Sequence, residues 1–327
     1  MKNNRLRVVL SILMAAIVLL ATGCSEVPGN GDPRPRVLAT NFALYDIARA
    51  VCGVVCDVRM VISPGTDSHD MEVTASDIAL VASSDVFISA GGESDEWVKD
   101  VMSALGDAAD GITVVRAADF TCLLPEEDGR ITVKEEEDEE EDGEGFDEHV
   151  WTSVPNLLKI LDAVADSVDS AVPGHSAEFS ANAEDYAERL READRHIRDM
   201  LENAESRLII VADRFPFRYF AEEYGLEYYA AFSGCTSNTE PTLSSVNTLK
   251  TLVEENGIRT VFIIELSDGK TARVLADSLG VGIMTLYSGH NVTKEDFESG
   301  VTYAELIERN TEALRTALSG RSENESY

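Results

Sequence analysis

Positive charge is what this sequence has least of. Its 27 lysines and arginines face 60 aspartates and glutamates, a formal charge of −33 at pH 7. That balance excludes nucleic acid and anionic membrane surfaces as partners and favours cations. Cysteine is scarce, five in 327 residues, and no pair has the Cys-x-x-Cys spacing of a structural zinc site. Histidine is equally scarce at five. No two histidines share a helix face at His-x-x-x-His spacing, and the hydrolase motif His-Glu-x-x-His is absent. Long apolar runs are missing too. The longest, VVLSILMAAIVLL at residues 8–20, is too short to span a bilayer and suits the core of a signal peptide.

What is present begins with that leader. Lys2, Arg5 and Arg7 precede the apolar run, and ATGC at residues 21–24 follows it. Small residues before Cys24 resemble a bacterial lipoprotein box, although Ala21 stands where leucine is usual. On this reading Cys24 becomes a lipidated N-terminus outside the cytoplasm, and SEVPGNGDPRPR (25–36) is a linker. The rest, about 300 residues, is long enough for two lobes with separate cores. Outside the cytoplasm the remaining cysteines, Cys52, Cys56, Cys122 and Cys235, can oxidise, and Cys52 and Cys56 are close enough in sequence to pair.

Short Val/Ile-rich runs alternate with helical patterns. Strands are expected at 36–40, 57–63, 85–90, 207–213, 260–265 and 282–287. Helices are expected at 41–51, 74–84, 217–225 and 244–257, the last stopped by Asn256-Gly257. Alternation of this kind predicts α/β units with parallel-type sheets. Between the halves, residues 176–206 repeat apolar side chains at helical spacing for about thirty residues, which predicts one long helix joining two α/β lobes. The run Glu135, Glu136, Glu137, Asp138, Glu139, Glu140, Glu141, Asp142 lies in an acidic loop, 134–148, with no apolar pattern.

Ligands of open α/β sheets bind beyond the carboxyl ends of the strands. His69 follows the second expected strand, and His290 follows the last. His149 ends the acidic loop and opens the helix VPNLLKILDAVADSV. Asp213 and Glu265 close two further strands. Three imidazoles and a carboxylate gathered between two lobes would suit Zn²⁺, with Mn²⁺ or Fe²⁺ less favoured as nitrogen donors increase. His175 and His196 read as helix-start and helix-surface residues.

The words around these histidines resemble the metal-binding proteins of bacterial ABC importers, of the zinc-uptake type (cluster A-I). PGTDSHDMEVTASDIALVASSDVFISAGGESDEWV resembles the family's first-ligand region, and DEHVWTSVPNLLKI its second. FRYFAEEYGLEYYAAF resembles the stretch after the third ligand. EPTLSSVNTLKTLVEENGIRTVFIIE and KTARVLADSLGVGIMTLY resemble later units. The likeness covers nearly all of residues 36–318. It implies two α/β lobes on a long rigid helix, with the metal site in the cleft between the lobes. It implies capture of a divalent transition metal, zinc first and manganese second, for an ABC permease and its ATPase. The protein would be an extracytoplasmic monomer anchored to the membrane by the Cys24 lipid, and not an enzyme.

The family places its third ligand five residues before the tyrosine of Tyr-Phe-Ala, and here that position is Arg214. A guanidinium offers no lone pair. The implied set is therefore His69, His149 and His290, completed by Asp213 or water. Glu265 would orient an imidazole, and Cys235 is a further candidate ligand. The acidic loop is either a weak cation collector or a solvated spacer. The resulting organisation is a leader at 1–23, a linker at 24–36, an N-terminal lobe at 37–174, a linking helix at 175–206, a C-terminal lobe at 207–320 and a disordered tail at 321–327. Competing readings are a manganese or iron importer component, a surface adhesin or metal chaperone, and a metallohydrolase with Glu72 or Glu240 as base.

Overall fold

A computed structural model of the protein describes residues 32–66, 73–125, 145–232 and 242–319. The chain divides into two units, Met1–Arg34 and Pro35–Tyr327. In the first, Asp32 and Arg34 form an ion pair at 2.6 Å. All that follows concerns the second. His69, Cys24, Cys235 and the acidic residues Glu135–Asp142 lie outside the described residues.

The first sheet holds β1 (Arg36–Ala39), β2 (Asp57–Met60), β3 (Val86–Ser89) and β4 (Thr113–Arg116), in the order β2-β1-β3-β4. The second holds β5 (Leu208–Val211), β6 (Glu227–Ala230), β7 (Thr260–Ile264) and β8 (Gly282–Leu286), in the order β6-β5-β7-β8. Every strand pairing within the two sheets is parallel, as with Val37 opposite Val86. Parallel neighbours need crossover connections, which the intervening helices supply. Alternate side chains go to opposite faces. Val37 and Ala39 enter one core while Leu38 enters another, and Ile209 and Val211 separate from Ile210 in the same way.

The helices are α1 (Phe42–Cys52), α2 (Ala75–Ala82), α3 (Glu96–Leu105), α4 (Val154–Ala171), α5 (Ser176–Glu202), α6 (Arg218–Tyr224), α7 (Leu243–Glu255), α8 (Lys270–Leu279), α9 (Lys294–Ser299) and α10 (Tyr303–Leu318). Ser153 caps α4, its hydroxyl accepting from Asn156 N, and Pro155 sits in the first turn where a missing N–H costs nothing. The long helix α5 is amphipathic. Phe179, Ala183, Tyr186, Ala187, Leu190, Ala193, Ile197 and Leu201 form its buried stripe. It packs on α1, α4 and α10, so it serves both lobes. At 1.5 Å per residue it is about 40 Å long.

The two-lobe α/β expectation matches this architecture, with differences in detail. The long helix stops at Glu202 rather than 206, with Asn203 as its C-cap. The strands end one to three residues earlier than their apolar runs suggest. β4 and β6 have no counterpart among the expected strands. Both are edge strands, and both are short and partly exposed. Asn256-Gly257 does terminate α7, with Gly257 at φ 62°. Among the described residues no helix is long and apolar enough to cross a membrane.

Candidate metal centre

His149 stands at the start of a short 3-10 turn, Val150–Thr152, that feeds α4. Its backbone N–H and its Nδ1 both lie 2.9 Å from Asp147 Oδ1. A carboxylate only accepts, so Nδ1 carries a proton, and in the neutral form of the ring the lone pair is on Nε2. Burial alone would raise the Asp147 pKa. The charge of the protonated His149 ring and the hydrogen bonds from His149 outweigh it and hold the carboxyl below its ordinary value.

His290 reaches the same point from the other lobe, on the loop after β8. Its Nδ1 lies 3.0 Å from Ser288 Oγ. That hydroxyl donates to Glu265 Oε1 at 2.5 Å, so it accepts from Nδ1–H and again leaves the lone pair on Nε2. Glu265 also receives Ser288 N at 2.7 Å and Gly289 N at 3.0 Å. Burial raises its pKa and the Ser288 hydrogen bonds oppose the rise. One carboxylate thus folds the whole 288–290 turn. Gly289 sits at φ 82°, and a Cβ there would meet Tyr303 Cε2 at 2.4 Å, so only glycine fits.

The two imidazole centroids are 4.8 Å apart with planes at 83°. Trp151 packs edge-on against His290 at 5.0 Å and donates its indole N–H to Ser288 O at 2.8 Å. His149 is 2% exposed and His290 7%. A carboxylate oxygen of Glu148 and one nitrogen of each imidazole all lie within 4.8 Å of one another. Glu148 accepts from Ser94 N at 2.8 Å and from Ser94 Oγ, which ties it to the turn after β3. Sequence reasoning passed over Glu148; its one signal was adjacency to His149.

The other candidates fall as follows. Asp213 is buried at the end of β5, and its Oδ1 accepts Arg214 N at 2.9 Å. Burial raises its pKa, against hydrogen bonds from Ser267 and Arg214. Among the described residues, neither Asp213 nor Glu265 is in the group formed by Glu148, His149 and His290. His175 is the N-cap position of α5, and His196 Nδ1 pairs with Glu308 at 2.8 Å. Both are distant in role from the centre.

Backbone contacts brace the centre. The first N–H groups of α1, which have no helical acceptor, go to the other lobe: Phe42 N to His290 O and Ala43 N to Gly289 O, both at 2.9 Å. Asn291 Nδ2 donates to Ser63 O and Thr66 O at 2.8 Å, and Gly65 N donates to Val292 O at 2.8 Å. The chain reaches His69 three residues after Thr66.

The family described as zinc-uptake complex component A, periplasmic, matches residues 37–317. The chain belongs to this family. It is 27% identical over 321 residues to the zinc-binding protein AdcA of Streptococcus pyogenes serotype M18, covering 96% of this chain and 61% of that one. The chain thus spans about three fifths of the length of its streptococcal relatives. It is 24% identical to the high-affinity zinc uptake system protein ZnuA of Bacillus subtilis, covering 94% of this chain and 96% of that one. Among solved structures, the Zn(II)-bound ZnuA-like domain of Streptococcus pneumoniae AdcA is 25% identical with a TM-score of 0.72, covering 88% of this chain and all of that domain. Members of this zinc-uptake component A family are solute-binding components, and two parallel-sheet lobes are what its solved relatives share with this chain.

Proposed function

We propose that this protein captures Zn²⁺ outside the cytoplasm and passes it to an ABC permease driven by its ATPase. The observation that carries this reading is the meeting of His149 and His290, one from each lobe, buried and 4.8 Å apart between ring centroids. Each has its Nδ1 committed to a partner, so each presents Nε2, the arrangement in which neutral imidazole binds zinc. The names of the AdcA and ZnuA relatives support zinc as cargo. His69 is the third donor on this reading. It is supported by the tether between Asn291 and the 63–66 loop. Asp213, Glu148 or water completes the shell, and Arg214 occupies the position where the family carries another ligand. Cys24 anchors the chain to the membrane, and the working form is a monomer.

The test is a zinc titration of metal-stripped protein against a competing chelator, with native mass analysis for stoichiometry. The wild type takes one Zn²⁺ tightly. His69→Ala, His149→Ala and His290→Ala each weaken binding beyond the roughly 10–100-fold that loss of an outer hydrogen-bonding partner costs. Glu265→Gln falls within that 10–100-fold range, because it loosens His290 without removing a donor. His175→Ala binds as wild type. A wild type with no tight zinc overturns the reading.

A further inference from the structure

Cys52 is the last residue of α1, and Cys56 follows four residues later, one residue before β2. Between them the chain reverses. Gly53 adopts φ 54° and donates its N–H to Arg49 O at 3.1 Å, and Val55 N donates to Cys52 O at 3.0 Å. The long helix fixes this turn from outside: Asn182 Nδ2 on α5 donates to Val51 O at 3.0 Å. The reversal brings both side chains into one core cluster, Cys52 at 0% exposure and Cys56 at 2%. There Cys52 and Cys56 are both in the thiol form. The neighbouring Cys56, then burial, raise the Cys52 thiol far above its ordinary pKa. In the folded protein the Cys52 sulfur is therefore a poor nucleophile.

We propose that Cys52 and Cys56 form an intramolecular disulfide that locks the α1–β2 turn in the working protein. Two cysteines at the ends of one tight turn, with both side chains buried in the same cluster, are placed for their sulfurs to meet. The proposal rests on the extracytoplasmic reading above, since disulfides persist in that compartment. The chemistry is exchange with a disulfide oxidant. Two S–H bonds are lost and one S–S bond forms. The oxidant's own S–S bond breaks through a mixed disulfide, and its two sulfurs take up the two electrons and the two protons as thiols. Burial places the reaction during folding, before α5 closes over the turn. Once formed, the bond is shielded from reductants.

The test uses the full chain and peptide mass mapping after acid quench, unfolding and alkylation without reductant. One sample is taken directly from cells, and a second is purified, reduced, unfolded and refolded with oxidised glutathione. The expected result in both is a peptide carrying Cys52 and Cys56 unalkylated and lighter by two hydrogens than its reduced form. Its thermal midpoint falls on reduction. A pair alkylated in both samples, or linked instead to Cys122 or Cys235, overturns the proposal on geometry and leaves the compartment reading standing. A pair that closes in the glutathione sample but is reduced in the cell sample also overturns it, and the failure then lies with the compartment. Zinc is not read in either arm.

Discussion

Close to the centre, a single carboxyl group shows how burial is tolerated. Asp95 is buried behind β3, where it accepts Ala90 N at 2.6 Å, Gly91 N at 3.0 Å and Thr40 Oγ1 at 3.3 Å. Desolvation still dominates these donors, with the nearby Glu148 charge adding to it, and the pKa rises from 3.8 to about 6. The folded pKa lies above the unfolded one. Between about 4 and 6 the native state therefore keeps a proton that the unfolded chain has released. Stability contributed by this group is full at low pH and is lost as pH rises through that window, by on the order of 3 kcal/mol. Asp95→Asn removes the titration. Urea unfolding from pH 4 to pH 7 is expected to show the wild type losing stability relative to the variant as pH rises, with the difference levelling off above the folded pKa. Parallel curves would mean that Asp95 titrates normally. Glu265 is the companion case: it too is buried, but its donors come from the turn that presents His290, so its burial serves the centre directly.

Among the elements, α1 has the most demanding position, because its N-terminus serves its own helix and the opposite lobe at once. Asn41 is buried, and its side chain accepts Leu44 N at 3.0 Å, while Phe42 and Ala43 N–H groups reach His290 and Gly289 carbonyls. Asn41→Ala is expected to lower the stability of the metal-free protein by about 1 kcal/mol, the usual worth of such a cap, and Asn41→Asp to restore most of it. Denaturant midpoints with unchanged slopes are the measurement, and an unaffected alanine variant would show that the cap is dispensable. Much of this element layer was legible in the sequence. β1, β3, β5 and β7 are central strands buried on both faces, and such strands read as unbroken apolar runs. β4 reads TVVR with Val114 44% exposed, and β6 reads EYYA after a helix rich in the same residues. An edge strand carries half the apolar signal, and its pairing comes from a neighbour distant in sequence. The site divides in the same way. His149 and His290 stood out by residue type and place. The roles of Asp147, Ser288 and Glu148 rest on angles and distances that only the fold supplies.

Across the whole molecule the two lobes share one interior. The largest core cluster takes residues from β1, β3, α1 and α4 in the first lobe, from α5, and from β5, α6, β7 and α10 in the second. The smaller clusters are confined to the outer faces, one per lobe. Polar contacts follow the same path. Asp46 on α1 is 1% exposed and accepts from Tyr186 on α5, from Tyr303 N at the start of α10 at 2.7 Å, and from Arg49. Arg49 also donates to Val301 O at 2.9 Å. Burial raises the Asp46 pKa while the Arg49 charge opposes it. A carboxylate held by three elements, one from each part of the chain, cannot lose one partner without exposing the others. A shared core and a shared clamp predict that residues 35–319 unfold as one cooperative unit, although length alone would allow two. The protein has two tryptophans to test this. Trp97 packs in the outer cluster of the first lobe, and Trp151 lies against both histidines. In Trp151→Phe, the Trp97 emission and the far-ultraviolet dichroism are expected to share one denaturation midpoint, and in Trp97→Phe the Trp151 emission should do the same. Zinc at 100 times its Kd should raise the stability read by both probes by about 2.7 kcal/mol. A Trp97 signal that melts apart from the dichroism, or that zinc leaves unmoved, would show that the lobes fold independently and that the metal holds only the cleft.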